Sequence, residues 1–275
     1  MSFYVNRKGD LEYLTADTLA GTAHCFSTRF GGVSEGMLSS LNLGVHRGDR
    51  PCNVLENYRR LGAAVGFSLH DTVFTKQVHS AVIAHVGRGE RGRGLILPVE
   101  EPCDGLITNE PGVALTVFSA DCTPILLYDP IARAIGAVHA GWRGTAAGIA
   151  AVAVSKMREA FGCKEENLRA AIGPCISQCC FETSADVPRA MLDVLGSDAQ
   201  PAIRPSGEKA DKFYVNLKLL NELWLRRAGV GQIAISEDCT ACQPTRFWSH
   251  RVVGNKRGSL AAVIMLKDER SGGAM

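Results

Sequence analysis

The chain has 275 residues, enough for one large domain or two small ones, and its 46% apolar and 21% charged residues exclude a wholly disordered protein. Thirty Lys and Arg against 28 Asp and Glu give a net charge of +2, without the basic excess of a general nucleic-acid binder. No apolar run approaches the roughly 18 residues that cross a bilayer, and Met1–Leu11 lacks a signal-peptide hydrophobic region. We therefore expect a soluble, cytoplasmic protein with neither membrane nor nucleic-acid partners.

The predicted elements mix strands and helices without a regular βαβ alternation. This mixture favours one α/β or α+β domain over residues 1–275, with a central mixed β-sheet flanked by helices and a frayed tail from about residue 268. The clearest helix, Thr145–Phe161, is rich in Ala, begins at a Thr cap and ends before Gly162. In chain order, the predicted elements are a helix over Val54–Val65, strands over Val73–Val78, Ala81–Val86, Val113–Phe118, Ile125–Tyr128 and Ala134–His139, the helix over Thr145–Phe161, a strand over Ala170–Ile172, helices over Ala185–Leu195 and Leu217–Ala228, and a strand over Gln232–Ser236.

Three segments place metal-binding side chains at the abrupt ends of apolar strands, where loops carry function. His79, Cys122 and His139 offer two imidazoles and a thiolate, a suitable donor set for Zn²⁺. Their long separations exclude a local zinc finger, so the fold itself would have to bring them together. Three protein ligands leave a fourth tetrahedral position for water, as at catalytic zinc. The segments are Thr75–His79, Ser119–Pro124 and Val138–Gly144.

Copper is the alternative metal, because two imidazoles and a thiolate also form blue-copper sites. Such sites normally add an axial Met, and no Met lies near the three segments. A reducing cytosol also disfavours a copper electron carrier. Zinc is therefore the predicted metal, with copper less favoured.

The turn Gly141–Thr145 leads from a predicted strand into the predicted helix. Unpaired backbone N–H groups at a helix N-terminus favour an anion, and Arg143 adds guanidinium donors for phosphate or carboxylate. The alternative is a tight glycine turn with Arg143 facing water.

Two further motifs have ordinary explanations. Gly32–Gly36 matches the G-x-S-x-G nucleophile pattern, but no hydrophobic strand precedes it and no helix follows directly. The C-x-x-C over Cys239–Cys242 could combine with Cys175, Cys179 and Cys180 in a four-sulfur zinc site or a redox pair. Inert thiols are the favoured interpretation of these cysteines, since free Cys packs as a small hydrophobe.

The three metal-binding segments together closely resemble the motifs of the YfiH/YlmD-like, or laccase-domain, family. The resemblance covers nearly the whole chain, with two departures: Phe181 replaces the usual Tyr, and Asn255–Arg257 stands where Thr-Gly-Arg is common. The matching residues are Gln77–His79, Ala120–Pro124 and Val138–Gly144, together with Ser27–Arg29, Gly31–Ser34, Ser40–Gly44, Asp104–Thr108, Ile172–Ile176, Cys180–Glu182 and Phe247–Arg251.

This resemblance implies a laccase-domain (YfiH-like) fold with zinc bound by His79, Cys122 and His139. It also implies activity on purine nucleosides: phosphorolysis of adenosine, inosine, guanosine or methylthioadenosine, and deamination of adenosine. For deamination, a zinc-bound water of lowered pKa would attack the purine carbon that bears the amine. For phosphorolysis, phosphate must be held beside the anomeric carbon while charge develops there.

Five further side chains fit these reactions. Arg29 and Arg143 are candidate phosphate ligands, and the amides of Asn42 and Gln77 suit a purine edge or ribose hydroxyls. Asp121 could orient a partner or move a proton. Turn capping by Asp121 and backbone bonding by the two amides are the alternatives.

Three other functions compete with the nucleoside enzyme. A cell-wall editing amidase acting on muramyl precursors would use the same zinc for attack on an amide. A copper polyphenol oxidase needs many imidazoles. This chain has seven His, of which three lie in the recognised metal-binding and C-terminal segments, so too few remain for a trinuclear cluster. A scaffold with a structural zinc would need four protein ligands.

Overall fold

The computed structural model describes residues 1–207 and 209–268, so the predicted frayed tail beyond Asp268 lies outside the described residues. Among these residues, no helix combines the length and the hydropathy of a membrane span. In chain order the strands are β1 (Phe3–Lys8), β2 (Leu11–Ala16), β3 (Thr22–Ser27), β4 (Thr72–Phe74), β5 (Ile83–His85), β6 (Gly105–Thr108), β7 (Ala114–Ser119), β8 (Thr123–Asp129), β9 (Ala134–Ala140), β10 (Arg169–Ile172), β11 (Glu182–Ser184), β12 (Ile203–Pro205), β13 (Lys212–Val215), β14 (Gln232–Ile235) and β15 (Leu260–Leu266). The helices are α1 (Pro51–Val65), α2 (Trp142–Ala146), α3 (Ile149–Phe161), α4 (Asp186–Leu195), α5 (Leu217–Arg227) and α6 (His250–Val253).

The strands form two six-stranded mixed sheets and a small third one. The first sheet has the order β1-β2-β3-β15-β7-β4 and the second the order β14-β10-β8-β9-β6-β5, while β11, β13 and β12 form the third. All seven residues of β15 are buried because this strand runs between β3 and β7, antiparallel to both. Its apolar sequence suits a strand covered on both faces.

Alternating side chains of the strands pack into different cores. Leu126 and Ile264 lie in the core between the two six-stranded sheets, whereas Ile125 and Leu127 pack under α3 and α5 on the opposite face of the second sheet. Val263 likewise packs under α1. Because side chains alternate along a strand, each sheet is covered on both faces.

The pairing of β8 with β9 positions two of the candidate ligands. Cys122 directly precedes β8, and His139 lies near the end of β9. The strands are antiparallel, with Pro124 opposite His139, so the start of one lies beside the end of the other.

The predicted α/β class is confirmed, but the strands form two mixed sheets where one central sheet was predicted. That residues 1–275 form one domain stays a prediction.

The predicted helix Thr145–Phe161 is wrong at its start. The chain is already helical at Trp142, and α2 ends after five residues. Gly148, with φ of +69°, then adopts the left-handed conformation and separates α2 from α3.

The strand predicted over Val73–Val78 stops at Phe74. Beyond this point the side chain of Gln77, and not the backbone, continues the pairing with β7. Its Oε1 accepts from the N–H of Phe118 at 2.6 Å and its Nε2 donates to the Phe118 carbonyl at 2.9 Å. A side-chain amide that mimics a peptide group thereby frees the main chain to turn toward His79.

Replacing Ile264 by alanine tests the core between the sheets. Ile264 is fully buried, so Ile264→Ala should lower the free energy of unfolding by about 2–5 kcal/mol through lost contacts and a cavity. Urea denaturation measures this loss. Ile131→Ala, at a side chain that is 74% exposed, is the control and should stay within about 0.5 kcal/mol of the wild type. Equal effects of the two variants would contradict the proposed core.

Candidate metal centre and cavity

The fold brings His79, Cys122 and His139 together at one end of the second sheet. One ligand atom from each lies within 4.8 Å of those of the other two, and His79 Nε2 is 3.8 Å from Cys122 Sγ. His139 is buried, Cys122 is half-buried and His79 is exposed. The three side chains therefore form a group that could hold a metal ion and that opens to solvent on one side.

Asp104, directly before β6, fixes the geometry of this group. Its buried carboxylate accepts from the backbone N–H groups of Val78, His79 and Ser80 at 3.1, 3.0 and 2.7 Å. It also lies 2.8 Å from Nδ1 of His139. His79 has φ of +62°, an unfavourable conformation for a residue with a side chain, and these hydrogen bonds stabilise the turn that contains it.

The contact with Asp104 sets which nitrogen of His139 is available. When Nδ1 carries the proton and donates it to the carboxylate, Nε2 keeps its lone pair for a metal ion. Carboxylate–histidine pairs of this kind orient ligands at many metal centres. Asp104 belongs to a segment that resembles a family motif, but no role was predicted for it from the sequence.

The electrostatics of the centre favour a cation. Burial by itself would raise the pKa of Asp104, but the hydrogen bonds from His139 and Ser80 lower it overall, so the carboxylate is charged. Burial by itself would lower the pKa of His139, but Cys122 and Asp104 raise it to about 9. Burial and the neighbouring His139 lower the pKa of His79. The negative charges that favour a proton on His139 also favour a divalent ion.

Replacing Asp104 by asparagine should weaken the centre without removing a ligand. Asp104→Asn loses the negative charge beside His139, so we expect metal affinity to fall about 10- to 100-fold. Competition with a chromophoric chelator measures the affinity. Asp129→Asn is the matched control, because Asp129 is also a buried carboxylate that accepts backbone N–H bonds, from Ile131 and Ala132. An unchanged affinity in Asp104→Asn would contradict the positioning role.

A cavity of about 380 Å³ opens beside the metal-binding group, within the size range of small-molecule sites. His79 and Cys122 form part of its wall, Trp142 and Phe181 contribute aromatic faces, and Arg257 contributes positive charge. The remaining lining residues are Arg47, Ala120, Asp121, Ile176, Leu217, His250, Arg251 and Asn255.

Two of the lining arginines, the exposed Arg47 and the buried Arg257, lie close enough to repel each other. Arg257 is 9% exposed, and its Nη1 donates to the Gly258 carbonyl at 3.0 Å. Its buried Nε has no hydrogen-bond partner among the described residues. Burial, together with the smaller effect of repulsion by the nearby Arg47, lowers the pKa of Arg257 to about 10. Two neighbouring guanidinium groups in one cavity favour an anion between them. Neither Arg47 nor Arg257 was predicted as a ligand from the sequence.

Asp121 lies in the turn between β7 and β8 with φ of +89°. Its Oδ1 accepts from the hydroxyl of Thr240, and its Oδ2 accepts from the N–H of Arg251, both at 2.6 Å. The carboxylate therefore ties two later segments of the chain to the residue beside Cys122. This arrangement matches the turn-capping alternative more closely than a proton-transfer role.

Arg143 lies close to the metal-binding group. The helix N-terminus that was predicted to bind an anion at Thr145 does not form there. The side chain is exposed, and its guanidinium lies 4.3 Å from the centroid of the Trp142 ring. It acts on His79 by lowering the pKa of that imidazole, after the larger effect of burial. The expected helix start at Thr145 lies inside the five-residue α2.

The other three predicted substrate ligands do not line the cavity. The guanidinium of Arg29 stacks 3.7 Å from the ring centroid of Trp248 and donates to main-chain carbonyl groups. The buried amide of Asn42 donates to Asp49 at 2.9 Å and accepts from two backbone N–H groups. The Gln77 amide pairs with β7, as described above. The structure therefore favours backbone bonding for both amides.

This chain is similar to known proteins over most of its length. A family model described as multi-copper polyphenol oxidoreductase laccase matches residues 23–267. Purine nucleoside phosphorylase YlmD of Geobacillus stearothermophilus is 36% identical over 258 residues, 92% of this chain and 93% of that protein. A purine nucleoside phosphorylase of Deinococcus radiodurans is 36% identical over 262 residues, 93% of each chain. The crystal structure of Bacillus licheniformis YfiH matches with a TM-score of 0.90 and 32% identity, covering 96% of this chain and 99% of that one.

Proposed function

Because this chain belongs to the multi-copper polyphenol oxidoreductase laccase family, and its relatives bear the name purine nucleoside phosphorylase, we propose that it is a zinc-dependent purine nucleoside phosphorylase of the cytoplasm. Its substrates are phosphate and adenosine, inosine, guanosine or methylthioadenosine, and it also deaminates adenosine. The observation that carries this proposal is the group of His79, Cys122 and His139 at the wall of a cavity with paired arginines and aromatic faces.

Zinc suits this donor set better than a copper oxidase centre. All seven His lie in the described part of the chain, and the metal-binding group uses only two of them. His24, for example, accepts from the N–H of Ala16 at 3.0 Å in a strand of the first sheet. A multicopper cluster would need more imidazoles in one place. Two His and one Cys leave one tetrahedral position for substrate chemistry when zinc is bound.

The bound metal would supply a Lewis acid that polarises an oxygen at the reacting centre. Asp104 keeps His139 in the tautomer that binds the metal, and the turn at His79 presents the second imidazole to the cavity. Cys122 contributes the negative charge of its thiolate. These residues fix the charged groups of the centre before substrate enters. Fewer charges and dipoles then have to reorient during the reaction.

Arg47 and Arg257 are the proposed phosphate ligands. In phosphorolysis a phosphate oxygen forms a bond to the anomeric carbon of ribose while the glycosidic carbon–nitrogen bond breaks. The electron pair of that bond leaves with the base, which then takes up a proton. The guanidinium groups of Arg47 and Arg257 both line the cavity, where they would hold the phosphate and balance its charge.

The aromatic faces of Trp142 and Phe181 suit a planar purine, which stacks on aromatic rings. His250, at the first position of α6, also lines the cavity and lies outside the metal-binding group. We assign to it the proton that the leaving base takes up, because His is the side chain that most often acts as a general acid. The base and the phosphate would then occupy different parts of one cavity.

Incubation of the zinc-loaded protein with each nucleoside, with and without phosphate, tests the proposal. We expect free base and ribose 1-phosphate only when phosphate is present, and inosine from adenosine even without it. A chelator should remove both activities, and added zinc should restore them. Absence of product from all four nucleosides would overturn the proposal. Altered stem peptides in the muropeptides of a deletion strain would then favour the amidase.

Arg257→Met separates phosphorolysis from deamination. Losing one charge-assisted contact to phosphate should cost about 1.5–3 kcal/mol and so raise the KM for phosphate roughly 10- to 100-fold. Deamination, which uses no phosphate, should change much less. Steady-state kinetics of both reactions measure the difference. Arg189→Met, at an exposed position of α4, should leave both unchanged. Equal loss of both activities in Arg257→Met would contradict the assignment.

A further inference from the structure

Four cysteines converge outside the candidate active site. Cys179 and Cys180 follow β10, and Cys239 and Cys242 follow β14. Their sulfur atoms all lie within 4.8 Å of one another. The Sγ of Cys179 is 3.7 Å from that of Cys180, 3.8 Å from that of Cys239 and 3.5 Å from that of Cys242. The Sγ atoms of Cys180 and Cys242 are 3.3 Å apart.

These separations match a tetrahedron around a single metal ion. Four thiolates about 2.3 Å from a zinc ion lie about 3.8 Å from each other. A disulfide would require a sulfur–sulfur distance of about 2.05 Å, and all four cysteines are free thiols. In an iron–sulfur cluster the four cysteines are divided among two or four iron atoms, which sets at least some pairs of their sulfurs farther apart.

We propose that Cys179, Cys180, Cys239 and Cys242 bind a second zinc ion in a closed, structural site. Four thiolates complete the tetrahedral coordination, so the ion has no position for substrate and differs from the open centre at His79. The favoured prediction that these cysteines are inert thiols does not account for their convergence.

The surroundings of the cluster are suited to thiolates. The N–H of Ser177 donates to the Sγ of Cys239 at 3.3 Å, a contact that stabilises negative charge on sulfur. Cys239 is buried, while Cys179 and Cys242 are exposed and Cys180 is half-buried. Solvent-exposed thiols gathered this closely gain little from hydrophobic packing, whereas a zinc ion would bind all of them.

The second site would join a segment of the cavity wall to a segment that supports this wall through a hydrogen bond. Phe181, which follows Cys180, lines the cavity. Thr240, between Cys239 and Cys242, donates to Asp121 at 2.6 Å, beside the ligand Cys122. The guanidinium of Arg251 donates to the carbonyl of Cys180 at 2.8 Å. Zinc bound by the four cysteines would therefore restrict the movement of Phe181 and of the turn that contains Cys122.

Metal content tests the proposal independently of any nucleoside activity. Protein purified with zinc under reducing conditions should contain two zinc ions per chain. Cys179→Ser/Cys242→Ser should retain one, and His79→Ala should retain the other. Cys52→Ser changes an exposed cysteine outside the cluster and should keep both ions. A wild-type content of one ion that Cys179→Ser/Cys242→Ser leaves unchanged would overturn the proposal, as would iron in place of zinc.

X-ray absorption of the wild-type protein gives a second test if the double variant fails to fold. Two occupied sites, one with four sulfur ligands and one with a single sulfur, should give an average of about 2.5 sulfurs per zinc at about 2.3 Å. An average near one sulfur would show that only the open centre binds zinc. The double variant should also melt at a lower temperature than Cys52→Ser, because the metal links two distant segments of the chain.

Discussion

Cys122→Ser is expected to lower kcat/KM for nucleoside phosphorolysis on the order of 10³-fold. The change replaces the single sulfur donor of the open centre with a weakly binding hydroxyl, so the metal and its stabilisation of the reacting oxygen are lost. A loss of about 4 kcal/mol of transition-state stabilisation corresponds to this factor. Steady-state rates with adenosine and phosphate, at one zinc concentration that saturates the wild type, measure the effect.

Cys163→Ser is the control, since Cys163 packs in the core under α3 and its thiol lies outside the open centre. This variant should be less stable but should keep its kcat/KM while folded. If Cys122→Ser had the same kinetics as the wild type, the metal centre would have no part in the reaction. Circular dichroism of both variants separates a loss of chemistry from a loss of fold.

Gly141→Ala should lower metal affinity and activity together, by about 100-fold, although glycine is not a ligand. A Cβ atom at this position would lie 2.7 Å from Cδ2 of His79 and 3.4 Å from Sγ of Cys122. The imidazole must therefore move away from residue 141, and a displacement of about 1 Å at a reacting centre costs roughly 10²-fold in rate. Metal titration and kinetics on the same preparation should show both losses.

Gly231→Ala provides a matched control, because a Cβ at Gly231 meets no atom within 4 Å. It should match the wild type in metal affinity and rate. If Gly141→Ala also matched the wild type, the close packing of Gly141 against His79 would be irrelevant to the centre. The turn of Gly141 would then serve only to begin α2.

Local sequence predicted many elements of this fold because their apolar residues recur at the spacing of a helix or a strand and are also the buried ones. The helices over Val54–Val65 and Leu217–Ala228 and the strand over Ala134–His139 appear close to their predicted bounds. The break at Gly148 was missed because an Ala-rich segment has high helix propensity on both sides of it. Strand β15 was not predicted either, although its continuous apolar sequence is typical of a central strand.

The site was predictable only where the ligands themselves carry a sequence signal. Cys122 and His139 meet through the antiparallel register of β8 and β9, which local pattern does not specify. Asp104 and Arg257 are single charged residues whose importance comes from burial and from distant partners. Asn42 shows the converse, since its amide is chemically suited to a substrate but already bonds to two backbone N–H groups and to Asp49.

The cysteine cluster illustrates the same limit. The C-x-x-C over Cys239–Cys242 suggested a four-sulfur site, but sequence separation alone could not select its partners. The structure places Cys179 and Cys180 there and leaves Cys175 out of the group. Long-range contacts, and not the motif, make this selection.

The most direct test of the account is a crystal structure of the zinc-loaded protein with anomalous diffraction measured at the zinc absorption edge. We predict an anomalous peak between the three side chains of the open centre, about 2.0–2.1 Å from one nitrogen each of His79 and His139 and about 2.3 Å from Sγ of Cys122. Full zinc loading with no peak at this position, or with any of the three donors beyond bonding distance, would contradict the central claim.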